Sequence, residues 1–233
     1  IVLKDIGALE MTRLTIGLMG VGEMGAGLAN AFVHAGHNVI SDLTERSEAS
    51  RRRASKVKIE GELSLEAVVK RSDILFSVLP TQFAYEEAAR VSQLLNGAKA
   101  PPLFVEANAI APSLTADIAT LFLDNKAKFV DAGIVGAPPT GSKRPRLYAS
   151  GDNVEQLKQL DGFGIDLVDL GSIIGTASAF KMTYAAMTKG VNALLTNVML
   201  AAEGHGFLEL FLQEANQSQA HLGQAPGLPA ACQ

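Results

Sequence analysis

The stretch Leu14-Thr-Ile-Gly-Leu-Met-Gly20-Val-Gly22-Glu-Met-Gly25 decides the fold of this chain. Leu14 to Met19 is an apolar run with the length of a buried strand, Met24 to His34 has helical spacing, and Asn38 to Ser41 reads as a second strand. Together they make a βαβ unit, which requires parallel strands. The rhythm continues outward. The pattern predicts a helix at Ser64 to Arg71, a strand at Ile74 to Leu79, a helix at Tyr85 to Leu95, a strand at Leu103 to Glu106 and a helix after Pro112. Further strands are expected at Lys128 to Asp131, Arg146 to Ser150 and Leu167 to Leu170. The fold class is therefore α/β: a doubly wound, mainly parallel sheet of the Rossmann type.

Between the first strand and its helix the glycines form a GxGxxG. The first, Gly20, permits a tight turn; the second, Gly22, lets a pyrophosphate approach the backbone; the third, Gly25, lets helix and strand pack closely. Gly22, Glu23 and Met24 supply the amides of the helix start. A nucleotide is implied, though FAD and S-adenosylmethionine sites share such loops, and so do glycine turns that bind nothing. Asp42 lies 22 residues after Gly20, near the spacing at which an acid contacts the adenosine ribose. It is followed by Arg46, Ser47, Arg51, Arg52 and Arg53, which suit a 2'-phosphate as well as they suit a solvated helix face. The cofactor expectation is NADP, slightly favoured, or NAD. Leu79 and Pro80 end a strand on the side where doubly wound sheets bind ligands, and so join the expected cofactor contacts.

With 233 residues the chain holds about one and a half typical domains. Twenty Lys and Arg against 24 Asp and Glu leave a net charge of -4, which argues against the general phosphate attraction of nucleic-acid binders. The single Cys232 excludes a disulfide framework and fits a reducing compartment, so the cytoplasm is expected. His34, His37, His205 and His221 show no paired spacing with acids, and no metal is expected. The first residues, IVLKDIGALEMT, lack a secretory pattern, and residues 1 to 10 are given no function. After Gly175 the texture becomes rich in Ala, Leu and Met, interrupted by Gly190 and Gly204. Lys189, Asn192 and Asn197 make the segment from Met182 to Ala202 a core or interface helix and not a membrane span. The expected organisation is a nucleotide-binding domain at 12–174, a short all-helical domain at 175–215 and a loose tail at 216–233. So much apolar helix needs cover, and a homodimer through the helical domain is the expected partner arrangement.

Four spaced motifs resemble one family, the 3-hydroxyacid dehydrogenases related to 6-phosphogluconate dehydrogenase. The family's GLGxMG is similar to Gly20-Val-Gly22-Glu-Met-Gly25 with the residues before it. Its cofactor-side motif, an acid followed by a Ser-Thr pair and Pro, is similar to Glu106-Ala-Asn108-Ala-Ile-Ala-Pro112, with Asn108 where a serine stands. Its substrate loop DAPVSGG resembles Asp131-Ala-Gly133-Ile-Val135-Gly136-Ala, with Val135 in place of the substrate-binding serine. Its catalytic segment, a glycine and, six residues later, a lysine, is similar to Gly175-Thr-Ala-Ser-Ala-Phe-Lys181, and Ala185 replaces the family's asparagine. The wording resembles an uncharacterised fungal and bacterial branch more than 6-phosphogluconate dehydrogenase itself, and the chain looks shortened at its C-terminus.

The resemblance implies hydride transfer between NAD(P) and a small hydroxy or keto substrate. Moving the hydroxyl proton needs an acid–base group, and a lysine held in a cleft can serve; the resemblance assigns that role to Lys181. It also implies substrate contacts at Gly133, Val135 and Gly136 and a cofactor contact at Asn108. At 100° per residue, Tyr184, Thr188 and Asn192 share a helix face with Lys181. Tyr184 and Asn192 either contact substrate or satisfy neighbouring loops. Imine reduction on the same fold, or nucleotide binding without turnover, are the alternatives to dehydrogenation.

Overall fold

In the computed structural model, residues 13–218 apart from Lys126 and Ser142 are described. The expectations placed on residues 1 to 10, on Cys232 and His221, and on the tail beyond Ser218 lie outside the described residues. Contacts divide the chain into two compact units, the first closing at Lys181 and the second beginning at Met182.

In the first unit, eight strands form one sheet in the order β3-β2-β1-β4-β5-β6-β7-β8. They are β1 (Thr15–Leu18), β2 (Asn38–Asp42), β3 (Glu60–Glu62), β4 (Ile74–Ser77), β5 (Leu103–Glu106), β6 (Phe129–Val135), β7 (Arg146–Ser150) and β8 (Asp166–Asp169). Every neighbouring pair is parallel except β6 with β7. The helices are α1 (Glu23–His34), α2 (Glu48–Lys56), α3 (Leu65–Arg71), α4 (Ala84–Leu94) and α5 (Pro112–Thr120). Local chemistry starts several of them. Ser47 and Ser64 accept N–H bonds from Ser50 and Ala67 to cap α2 and α3, and Pro112 opens α5. Alternation along the strands feeds two cores, one on each face. Ile74, Phe76 and Val105 pack with Leu28 and Phe32 of α1, whereas Leu75 and Phe104 pack with Val91, Ile118 and Phe122.

The strand reading needs two corrections. β3 is an edge strand of sequence Glu-Gly-Glu without strand propensity, held by pairing with β2. β6 continues to Val135, because β7 pairs with it from Ser150 opposite Asp131 to Arg146 opposite Val135. The stretch expected as a substrate loop is therefore mostly buried strand.

Helix α6 runs from Thr176 to Gly204 without a break at Gly190. In the second unit it ends where Phe207 N–H bonds to Ala202 O and Gly206 N–H to Glu203 O, with Gly206 at φ +76°. Helix α7 (Leu208–Ser218) follows. Among the described residues, no helix is long and apolar enough to cross a membrane.

Candidate nucleotide-binding edge

The strand order reverses between β1 and β4, and a doubly wound sheet binds ligands in the crevice beside such a reversal. Because β2, β1, β4, β5 and β6 are parallel, their C-terminal ends share one edge. Along it lie, in order, Asp42, the glycine turn, Leu79, Asn108 and Ile134. At about 4.8 Å per strand, the row from β2 to β6 is roughly 19 Å long.

Each glycine of the turn has a different reason to be there. A Cβ on Gly20 would stand 2.0 Å from the carbonyl oxygen of Val78, so this glycine lets β1 and β4 close. A Cβ on Gly25 would stand 2.0 Å from the carbonyl oxygen of Gly20, so it lets α1 lie on the turn. Gly22 has neither reason. Its φ of -73° is open to any residue, and a Cβ there would meet nothing within 4 Å. Gly22 caps α1 without a side-chain bond, leaving the first amides of the helix, near exposed Glu23 and half-buried Met24, to an outside acceptor. Room at the backbone beside uncapped amides is the cradle that a diphosphate fits.

Asp42 Oδ1 accepts the Thr44 N–H at 2.9 Å and the Thr44 hydroxyl at 2.6 Å, which fixes the carboxylate at the end of β2. Arg46 reaches back over the same edge. Its Nε donates to Asp42 O and its Nη2 to Met19 O at 3.1 Å. A ribose acceptor and a guanidinium are thus both present, and the rivalry between NAD and NADP seen in the sequence persists. Arg52 pairs with Glu48 on the exposed side of α2.

In the middle of the edge, Asn108 turns its side chain inward. Its Oδ1 accepts the Leu79 N–H and its Nδ2 donates to Ser77 Oγ at 2.8 Å. The backbone N–H of Leu79 can only donate, so the amide orientation is determined. Asn108 therefore ties the ends of β4 and β5 together and holds Leu79 and exposed Pro80 at the crevice. Its own backbone N–H donates to Glu106 Oε1 at 2.9 Å.

At the far end, Lys181 Nζ donates to Ile134 O, three residues beyond the point where β5 stops pairing with β6. A Cβ on Gly133 would stand 2.7 Å from Lys181 Cβ and 3.0 Å from Ala177 O, so Gly133 makes room for the start of α6. Val135 is buried opposite Arg146. Gly136 ends the strand at φ +124°, a left-handed conformation that itself calls for glycine. Asp131 fixes the start of α6: its Oδ2 accepts the Gly175 N–H at 2.9 Å, the Ser178 N–H at 3.1 Å and the Ser150 hydroxyl at 3.1 Å, and its Oδ1 accepts the Ser178 hydroxyl at 2.6 Å. Ser150 in turn accepts the Ala177 N–H.

Tyr184 and Asn192 lie on α6 within the second unit, both exposed. The Thr188 hydroxyl is spent on the carbonyls of Tyr184 and Ala185 of its own helix. Sequence reading passed over Asp131, Glu106 and Ser178 as working residues. The signal for the two acids was their charge inside the apolar runs LFVE and FVDAGIV, where an acid is buried only with a role. A cavity of about 520 Å³ lined by Asn30, His34, Pro139, Arg144 and Phe163 lies beside the C-terminal half of α1 and includes none of these edge residues. Among the described residues, no cluster of three His, Cys, Asp or Glu could hold a metal ion.

The model of the NAD binding domain of 6-phosphogluconate dehydrogenase matches residues 15–163. An uncharacterised 28.5 kDa protein of Methanothermus fervidus is 28% identical over 206 residues, 88% of this chain and 78% of that protein. The mitochondrial 3-hydroxyisobutyrate dehydrogenase of Drosophila melanogaster is 23% identical over 83% of this chain, which spans 56% of that enzyme. A conserved protein of unknown function, described as structurally similar to 3-hydroxyacid dehydrogenases, superposes with a TM-score of 0.72 at 29% identity, covering 89% of this chain and 77% of that one. A variant of an imine reductase of Myxococcus stipitatus in complex with NAD+ shares the fold, with a TM-score of 0.73, 21% identity and coverage of 90% and 74%.

Proposed function

The chain belongs to the family of the NAD binding domain of 6-phosphogluconate dehydrogenase, and from that premise we propose that it is an NAD(P)-dependent oxidoreductase that moves a hydride between the nicotinamide and a small hydroxy or keto substrate. The observation that carries this reading is the open, uncapped backbone at Gly22 on the same sheet edge as Lys181. The amides of Gly22, Glu23 and Met24 would hold the diphosphate, with Gly20 and Gly25 shaping the turn. Asp42 and Arg46 would face the adenosine ribose, Leu79 and Pro80 would border the crevice, and Asn108 would hold that border in place. A nicotinamide coenzyme bound there supplies or accepts the hydride. Lys181 would take the hydroxyl proton of an alcohol, or return it to a carbonyl, after leaving Ile134 O.

Gly133 and Asp131 set where Lys181 stands. In this reading Val135 and Gly136 shape the substrate side through the backbone, and Tyr184 and Asn192 supply further substrate contacts. NADP is slightly favoured over NAD on Arg46. The exposed Met187, Leu194, Leu200 and Leu210 of the second unit support a homodimer formed through it, and a monomer by light scattering at micromolar concentration would count against that.

The test is turnover of NAD+ and NADP+ with 3-hydroxy acids, and of NADH and NADPH with 3-keto acids, aldehydes and cyclic imines, by wild type, Lys181→Ala and Tyr184→Phe. We expect turnover on a hydroxy or keto substrate and its loss in Lys181→Ala, by 100-fold or about 2.7 kcal/mol of barrier. Turnover of imines alone, dependent on Tyr184, would replace the dehydrogenase reading; coenzyme binding with no turnover would remove it.

A further inference from the structure

Glu106, at the end of β5, and Asp131, on β6, stand directly opposite one another in register, and both are fully buried. Two carboxylates so placed cannot both carry charge cheaply. Their surroundings decide between them. Asp131 faces four hydrogen-bonding groups and stands at the N-terminus of α6, so a negative charge placed there is well compensated. Glu106 has the Asn108 N–H on Oε1, while Oε2 is buried with no hydrogen-bond partner among the described residues.

We propose that Glu106 is a positioning residue that works as a neutral carboxylic acid, so that the Glu106–Asp131 pair holds one negative charge, on Asp131. Neutral Glu106 keeps the ends of β5 and β6 in register. Through Asn108 it also holds the turn at Leu79 and Pro80 that borders the coenzyme crevice. Ionisation would set two buried charges side by side and force those ends apart, so the competent edge exists with the proton in place. Burial is the main cause holding the Glu106 proton, pushing its pKa up to about 7; the bonds from Asn108 act in the opposite direction, and the charge of Asp131 adds to the rise. Asp131 is the one charged group acting on Glu106 among the described residues; Ser77 from β4 and Asn108 from its own loop are neutral.

The effect on binding rests on the proposed coenzyme reading, so two readouts keep the two apart. The first is the Kd of NADH and of NADPH from pH 6 to 9, for wild type and Glu106→Gln, whose amide mimics the neutral acid. We expect wild-type affinity to fall above pH 7 by up to tenfold per pH unit and that of Glu106→Gln to stay level. A level wild-type profile, or the same fall in both proteins, overturns the proposal. The second readout is thermal unfolding without coenzyme from about pH 4.5 to 9. There the advantage of Glu106→Gln over wild type should widen as pH rises to about 7, where the unfolded chain has lost the Glu106 proton and the folded chain still holds it, and stay level above; an unchanging difference below pH 7 overturns the proposal. Failure of both proteins to bind at every pH sinks the coenzyme reading alone, and the unfolding comparison still decides the state of Glu106.

Discussion

Alanine placed singly at Gly20, Gly22 and Gly25 should separate binding from folding. At Gly20 the new methyl would stand 2.0 Å from Val78 O and 2.9 Å from Val78 C, and at Gly25 it would stand 2.0 Å from Gly20 O. Overpacking against side chains costs about 1–3 kcal/mol. Here the obstacle is backbone in a central sheet, so about 3 kcal/mol or more is expected, which lowers the Tm by roughly 6–12 °C at this chain length. Gly22→Ala meets no atom within 4 Å and keeps an ordinary φ. It loses about 0.5–1 kcal/mol as a poorer cap and gains about 0.4–1 kcal/mol by stiffening the unfolded chain, so its Tm should stay within about 4 °C of wild type. The same methyl, however, would occupy the space that a diphosphate needs at the amides. NADH and NADPH fluorescence titration should show at least tenfold weaker binding, about 1.4 kcal/mol. A Gly22→Ala protein that binds within twofold of wild type would refute the assignment of the cradle. A Gly20→Ala protein as stable as wild type would refute the packing argument.

Gly133→Ala should push Lys181 and the first turn of α6 away from β6; we expect a loss of about 1–3 kcal/mol in stability and a fall in kcat exceeding any change in coenzyme Kd, and an unchanged kcat would show that the contact does not set the lysine. His37 is buried, accepts the Leu14 N–H on Nδ1 at 3.3 Å, and leaves Nε2 without a partner among the described residues. Burial holds its pKa below 6.5, so just below pH 6.5 the unfolded chain binds more protons and stability falls as pH drops. Denaturant unfolding at pH 7.5 and 5.5 should show a smaller loss in His37→Asn than in wild type; equal losses would assign the acid sensitivity elsewhere.

Much of this architecture is written in local sequence. The first βαβ unit, α3, β4, β5 and α5 sit within a residue or two of their expected places, because periodicity, serine caps and Pro112 all act over short range. The discrepancies are nonlocal. β3 exists only because β2 offers a partner to Glu60 through Glu62, and β6 reaches Val135 only because β7 folds back against it. Gly190 reads as an interruption, yet α6 passes through it, since one glycine costs a long helix only about 1 kcal/mol.

The candidate edge divides in the same way. The glycine turn and Asp42 were legible from spacing. The inward turn of Asn108 was not, since it depends on Leu79 N–H and Ser77 Oγ, both about thirty residues away in sequence. Asp131 as the anchor of α6 and Gly133 as the space for Lys181 likewise depend on a helix that begins more than forty residues later.

The most direct measurement is a crystal structure of the protein with NADPH and, separately, with NADH. The diphosphate should lie on the amides of Gly22 to Met24, the adenosine ribose at Asp42 and Arg46, and the nicotinamide at the β5 and β6 end with the Lys181 amine facing it. A coenzyme bound elsewhere, or a nicotinamide at the β2 end remote from Lys181, would contradict it.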